Sequence, residues 1–511
     1  MLLVILILLH LYRGTLLKTD KMLDKEKYIK GYYVNKDVCD LIQFLESNLN
    51  LQEWNCQSVN MWTIVRNDLA STILKSRTKR SVSSLPILIN TLPRKEYIVF
   101  KFFGIAKDIL LGIWQILTVI LCNILKDSTV LLVGDGRSKS LVSDKWADKF
   151  LDPLRFYYDK KNVHTVFLDV NKFQNKPLYS KVFNIDKIEK TSYFFARLYF
   201  FLNKKNVINS AEILLFKKNL EKFELDTNDY TAENLTLNYY KILILHFFFK
   251  IILIIFKVKK IYIVAYYNIY GYALCFAANK LNIKVIDIQH GILENHPAYQ
   301  FFGDVESKNN LLPSLFWVWD RHSHQIFRKN NAPGFLRYHK SFPGGISWAL
   351  WSKQISLQEN LYCKNLFDSN KMHILVTMQP EVYGRDLWAK LLPIIKKYNK
   401  YHWWVRKHPA FYNDCNQLDE LDNSHYAHVN FLDAYRVPIY TLFAHCDLHI
   451  TTDSSSALDA EKFNVTTLFL SDLCYQFFPH LIEQKKGVYF EHVVDIENYI
   501  VSLLDVMHPE I

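Results

Sequence analysis

Paired cysteines are missing from this chain. Its eight cysteines, at positions 39, 56, 122, 275, 363, 415, 446 and 474, form no CxxC pair and no zinc-like spacing. Several sit inside apolar runs, so they read as buried, reduced thiols of a cytoplasmic protein. Glycine and proline are scarce, at 14 each. With 50% hydrophobic and 22% charged residues, the chain is globular and not disordered. Basic residues form no long tract, and the densest cluster, Lys75 to Arg80, reads as a solvated loop. No nucleic-acid-binding signature is present, and a nucleic-acid partner is set aside.

A clear membrane span is also lacking. Residues 1–12 are apolar but short for a span, and they lack the basic flank of a signal peptide. Ile109 to Leu125 is uncharged for 17 residues yet contains Gln115, Thr118 and Asn123. Lys241 to Phe256 is interrupted by His246 and Lys250. The last two read as buried or membrane-surface helices.

What is present is length and positive charge. A chain of 511 residues exceeds one core, which sets a prior of two or three domains. Net charge is +12, with a pI near 9.0, a balance that suits an anionic membrane face or phosphorylated substrates.

Residues 1–90 read as a helical N-terminal extension. From Thr129 onward strands alternate with helices. Thr129 to Val133 is a strand ending in Gly134-Asp135-Gly136, a tight loop at a sheet's carboxyl edge where an acid can serve as base or cap a turn. The later glycine of a dinucleotide fingerprint is missing. Asp144 to Leu151 reads as a helix stopped by Pro153. Ile261 to Ala265, Ile269 to Leu281 and Lys284 to Ile288 read as strand, helix and strand, ending in Gln289-His290-Gly291, with His296 and Tyr299 downstream. A fresh alternation begins at Met372. His402 to Val405 is a strand that runs into Arg406-Lys407-His408-Pro409. Leu448 to Ile450 is another, followed by Thr451 to Ser456, a short helix and the strand Val465 to Leu470. The reading is two doubly wound Rossmann-like α/β domains: 91–346 and 372–511, joined by a linker at 347–371.

Two loops carry chemistry. Arg406, Lys407 and His408 place cationic and proton-donating groups at a strand end, which suits a diphosphate leaving group. Ser454 and Ser455 enter a helix whose amides and hydroxyls suit phosphate, and Asp459 and Glu461 offer a carboxylate to ribose hydroxyls.

These motifs resemble those of GT-B glycosyltransferases that build bacterial capsule and surface polysaccharide, including the sialyl- and Kdo-transferase-like branches. The Arg406 to Pro409 run is similar to their His-Pro motif. Ser454-Ser455, three residues on, then Asp459-Ala460 is similar to their paired-serine motif, with Asp for Glu and with Asn464 where the family has Gly before the next strand. The DIQHG and NHPAY runs resemble their acceptor-domain signature. The resemblance covers roughly residues 129–490. It implies two domains facing across a cleft, with a nucleotide-sugar donor in the C-terminal one. The acceptor, a lipid-linked or polymeric glycan, belongs to the N-terminal one.

On that basis Arg406, Lys407, His408, Ser454, Ser455 and Asp459 or Glu461 are donor-side residues. His408 stabilises the departing phosphate, and Gln289, His296 and Tyr299 are acceptor-side. The base is His290 or Asp135, with His290 preferred. No metal or cofactor is expected, because basic side chains take the role of Mg²⁺. The sialyltransferase branch has a two-acid-plus-Gly motif where this chain offers the single Asp135, which places a CMP-sialic acid donor in doubt. The expected location is the inner face of the cytoplasmic membrane, held peripherally on anionic lipid. Polyol-phosphate transfer, nucleotide-sugar 2-epimerisation and a non-catalytic assembly or export subunit stand as alternatives.

Overall fold

The strand Thr129–Gly134 (β1) is buried at all six positions, as expected of a parallel sheet covered on both faces. The computed structural model describes residues 38–69 and 107–507 apart from short stretches within them, chiefly 122–128, 171–176, 304–308, 352–365 and 408–426. After β1 come β2 (Thr165–Asp169), β3 (Val182–Asn184), β4 (Val258–Val264), β5 (Lys284–Ile288), β6 (Leu315–Val318) and β7 (Lys340–Pro343). Across the sheet they run β3-β2-β1-β4-β5-β6-β7, all parallel.

The second sheet holds β8 (His373–Thr377), β9 (His402–Arg406), β10 (Val429–Asn430), β11 (Leu448–Thr451), β12 (Thr466–Phe469) and β13 (Gly487–Tyr489). Its order is β10-β9-β8-β11-β12-β13, again all parallel. Each unit winds outward from its first strand, returns to the middle and winds the other way, which is the doubly wound pattern. That leaves a switch point between β1 and β4 and another between β8 and β11. A crevice opens at such points outside the carboxyl ends of the strands.

The helices of the first unit are α1 (Asp152–Lys160), α2 (Asp186–Asn203), α3 (Ser210–Glu221), α4 (Ala232–Ile255), α5 (Ile269–Lys280) and α6 (Arg321–Lys329). Those of the second are α7 (Glu381–Lys397), α8 (Ile439–His445), α9 (Ser456–Lys462) and α10 (Val493–Met507). Some of their starts carry side-chain caps: Asn268 accepts from Gly271 N at 2.8 Å to open α5, and Asp320 accepts from Ser323 N at 2.7 Å to open α6. Gly271 has no substitute there, because a Cβ would lie 2.0 Å from the Tyr266 carbonyl oxygen.

Alternation sorts the strand residues onto two faces. Leu131, Val133, Ile261 and Ile263 join α4 and α5 in one core, while Val130, Leu132, Val264 and Ile288 face the other way. By length and composition α4 is apolar enough to cross a membrane, yet Ile242, Leu245, Phe249 and Ile252 are buried in that first core. Its inner side is core packing.

Two sequence expectations are corrected. Pro153 begins a helix and ends none, because it sits in the first turn of α1, where its missing N–H is no loss. The stretch before it forms a hairpin, Lys139–Val142 with Lys145–Asp148. The part of the N-terminal extension that is described, 38–69, is not helical throughout and packs into the first unit. Val38, Leu41, Leu45 and Val65 share a core with β1, and a short antiparallel pair, Asn55–Cys56 with Val59–Asn60, interrupts its helices. Arg66 clamps it: buried, it donates to the Gln300 carbonyl and lies 4.4 Å over the Phe301 ring. Asn464 adopts φ 58°, the left-handed turn that its replacement of Gly suggested.

Candidate functional site

At the second switch point, the loops after β8 and β11 are stitched together. Thr451 donates to the Thr377 carbonyl at 3.0 Å, and Gln379 donates to Asp453 Oδ1 at 3.0 Å. Below them His449 is fully buried between Thr377 Oγ1 at 2.8 Å and Thr467 Oγ1 at 3.0 Å. Burial pushes its imidazole down to about 3, so it is neutral and acts as a fixed strut. Ser456 hangs on the same strut, 2.8 Å from Thr377 Oγ1, and this pins the start of α9.

The three serines thus divide. Ser456 is buried structure. Ser454 and Ser455 are half-buried at the crevice, and Ser455 caps α9 by backbone alone. The expectation of free helix amides is corrected: Ser456 N donates to Ser454 Oγ, Ala457 N to the Ser454 carbonyl and Leu458 N to the Ser455 carbonyl. Short first-turn bonds consume them. The groups left for an anion are the two hydroxyls and the amides of Ser454 and Ser455, which donate to nothing among the described residues.

Asp459 is buried, 5% exposed, and has no hydrogen bond among the described residues. Burial pushes its carboxyl up to about 6, against the pull of Lys149, Lys462 and Arg406. Lys149 belongs to the first unit, so this acid sits at the junction. Glu461 is committed elsewhere, bridging to Lys462 at 3.2 Å and Lys486 at 3.3 Å. Burial works against its ionisation, but the two lysines hold the carboxyl below its usual range. Arg406 is a brace: its guanidinium donates to the carbonyls of Ala434 at 2.7 Å and Val437 at 2.6 Å, fixing the chain before α8. Lys407 follows it, half-buried. His408 lies outside the described residues.

In the first unit the carboxyl end of β5 carries an interlocked set. Asp287 accepts from Tyr299 OH at 2.8 Å and from Tyr266 N at 3.1 Å, and burial pushes its carboxyl up to about 8. Tyr299 OH stands 3.4 Å from His290 Nδ1, and the Ile288 carbonyl is 3.2 Å from the same nitrogen. A carbonyl only accepts, so Nδ1 carries the proton and Nε2 the lone pair, to which Tyr267 OH donates at 2.8 Å. His290 is therefore held with Nδ1 toward the Ile288 carbonyl and Nε2 toward the Tyr267 hydroxyl. Ala265, at φ 59°, makes the left-handed turn that swings Tyr266 and Tyr267 over it, a strain of about 1–2 kcal/mol held by the surrounding packing.

The other acceptor-side residues behave differently. Gln289 is consumed by the fold, donating to the Gly291 carbonyl at 2.9 Å and accepting from Trp319 N at 2.8 Å. His296 caps the 3₁₀ turn of Tyr299 by accepting from Ala298 N at 3.2 Å, and its ring lies 5.2 Å from that of Tyr267. Asp135 is buried at the end of β1, within electrostatic reach of Asp148 and Asp287.

The two units meet along these edges. One apolar cluster takes Val264 and Ile288, the last residues of β4 and β5, together with Phe469, the last of β12. Trp348 lies fully buried with its ring 5.6 Å from Tyr440, and His322 stands 5.6 Å from His480.

No protein-family profile and no curated protein matches the chain. Among solved structures it is similar to a S. aureus MnaA–UDP complex, with 11% identity over 75% of this chain and 88% of that one, at a TM-score of 0.44. It is also similar to the Neisseria meningitidis UDP-GlcNAc 2-epimerase bound to UDP-GlcNAc (13% identity, 75% and 92% covered, TM-score 0.43). A third likeness is to the wall teichoic acid polymerase TagF (13% identity, 81% and 90% covered, TM-score 0.42). At these values they carry no residue-by-residue correspondence.

Several of the residues that shape the site were passed over in the sequence. Asp287 and His449 each lie inside a short, mostly apolar strand, and a titratable side chain in a doubly covered strand is itself a signal. Tyr267 and Lys149 gave no such signal, since only the fold brings them to His290 and Asp459.

Proposed function

We propose that the chain is an enzyme acting on a nucleotide-activated sugar, and that it transfers the sugar to a hydroxyl of a growing bacterial surface glycan, such as capsule or O-antigen. The observation that carries this is the hydroxyl-rich loop at the β8/β11 switch point. In that reading the diphosphate lies against the hydroxyls and amides of Ser454 and Ser455 and near Lys407, and Asp459 binds ribose hydroxyls. The acceptor oxygen attacks the anomeric carbon as its proton passes to His290 Nε2. The bond from that carbon to the diphosphate oxygen breaks, and the nucleotide leaves with the electron pair.

Epimerisation of a nucleotide sugar at C2 uses the same donor site and is the second reading, favoured by the buried acid Asp287, linked to His290 through Tyr299 and within electrostatic reach of Asp135, a set that suits proton transfer at carbon. Titrating CMP, UDP and GDP while following the melting temperature tests the shared part. One nucleotide is expected to raise it by several degrees at saturating concentration, and no shift with any of them would overturn both readings. Incubation with the matching nucleotide sugar alone then separates them: an epimer forms, or nucleotide is released only when an acceptor is added.

A peripheral seat on anionic membrane belongs to the same reading. Along the helical segment 110–118 and just beyond it, Leu110, Trp114, Leu117 and Leu121 form one exposed stripe, with Trp114 64% exposed. The opposite side packs on α2, where Gln115 donates to Asp186 at 2.7 Å. The end of α2 adds exposed Leu198, Tyr199, Phe201 and Leu202, with exposed Arg197 next to them in the chain. Apolar wedges beside cations fit an anionic lipid surface. The chain is expected to sediment with phosphatidylglycerol vesicles, and Trp114→Asp with Leu117→Asp to weaken this by at least about tenfold. Unchanged sedimentation would remove the membrane assignment.

A further inference from the structure

A cavity of about 460 Å³ opens beside Tyr267, away from the serine loop. Its walls are the N-terminal helical segment 61–69, the beginning of α4 and the beginning of α5. Because α4 leads into β4 and α5 leaves it, both beginnings lie at the carboxyl edge of the first sheet, beside the β1/β4 switch point. Tyr267 is a wall of this cavity and also the hydrogen-bond partner of His290, so the cavity ends at the base.

The lining selects a chemistry. Asn67, Asp68 and Asn238 supply amide donors and carbonyl or carboxylate acceptors, and Ile64 and Leu235 supply an apolar strip. Asn238 makes no hydrogen bond among the described residues, and Asn67 spends one donor on Tyr272 OH at 2.5 Å, leaving its carbonyl oxygen. Among the described residues no Lys, Arg or His lines the cavity, and the one charged side chain on its wall is Asp68. A phosphate or carboxylate group finds no cation on these walls. A neutral ring with hydroxyls on its rim and C–H groups on its face is matched on both counts, and the volume is in the usual range for such ligands, about 300–1,000 Å³.

We propose that this cavity binds the uncharged terminal sugar of the acceptor and presents one of its hydroxyls to His290 in place of the Tyr267 hydroxyl. The N-terminal segment thereby becomes part of the acceptor site. The proposal rests on the glycosyl-transfer reading for the use made of the sugar, but the binding itself can be measured alone.

The test is saturation-transfer NMR on the full chain with N-acetylglucosamine, galactose and glycerol 3-phosphate as probes. At least one neutral sugar is expected to show transfer and glycerol 3-phosphate none. Asn238→Leu should weaken the sugar roughly tenfold and leave the nucleotide-induced melting shift unchanged. Ile64→Phe, which fills the cavity from its apolar side, should do the same and guards against a folding defect in the first variant. Sugar binding that both variants leave intact, or binding of glycerol 3-phosphate in preference to every neutral sugar, would overturn the proposal. Sugar binding that is lost in the variants, with no nucleotide shift in the parent protein, would sustain the cavity and sink the transferase reading instead.

Discussion

Replacing His290 with Ala is expected to lower sugar transfer by about 10²–10⁴-fold while the nucleotide still raises the melting temperature as before. The size follows from the role. General-base removal at the acceptor oxygen is worth that range, and His290 is held for it: the Ile288 carbonyl at Nδ1 orients the ring and turns Nε2 toward Tyr267. The nucleotide shift should be untouched because the serine loop belongs to the other sheet. Asp135→Asn is the companion measurement, since the sequence leaves both residues as candidates. If His290→Ala keeps full transfer and Asp135→Asn abolishes it, the base is assigned to the acid at the end of β1.

Removing the hydroxyls of Ser454 and Ser455 together should weaken nucleotide binding by about 10²-fold or more, at roughly 1.5–3 kcal/mol for each hydrogen bond to a charged group. The neighbouring Ser456 is expected to give the opposite signature. Its hydroxyl stands against Thr377 and near His449 in a buried network, so Ser456→Ala should lower the melting temperature and leave the nucleotide affinity of the folded protein unchanged. Binding by the double variant at the parent affinity would take the diphosphate away from this loop. The split is sharp because the three serines are consecutive in sequence but point to different surroundings.

That split also shows where sequence reasoning stops. Strand and helix identities were legible because short apolar runs set between helical stretches are local: Lys284–Ile288 begins and ends where its run places it. The two-sheet arrangement follows from their alternation. Three strands of the two parallel sheets were not legible. Val182–Asn184, Lys340–Pro343 and Gly487–Tyr489 lie at or near sheet edges, too short for alternation to register. Pro153 was misread because proline marks a helix start as well as an end. At the site, the residue types in the two loops could be read, but their division of labour could not. Arg406 carries charge suited to phosphate, yet the carbonyls it supports come from residues 434 and 437, an encounter that only the fold arranges. Glu461 looked as available as Asp459 until Lys486 arrived from β13's approach.

The apolar cluster shared by the two sheets has a mechanical consequence. Val264, Ile288, Phe469 and Trp348 lie in one continuous seam, so swinging the units apart would wet that seam at about 25 cal/mol for every Å² exposed. A hinge that gapes is disfavoured by this arrangement, and a slide that keeps the seam dry is not. In the proposed reading, a ligand would then reach the site along the flank of the junction, where Lys149 comes from one unit and Asp459 from the other.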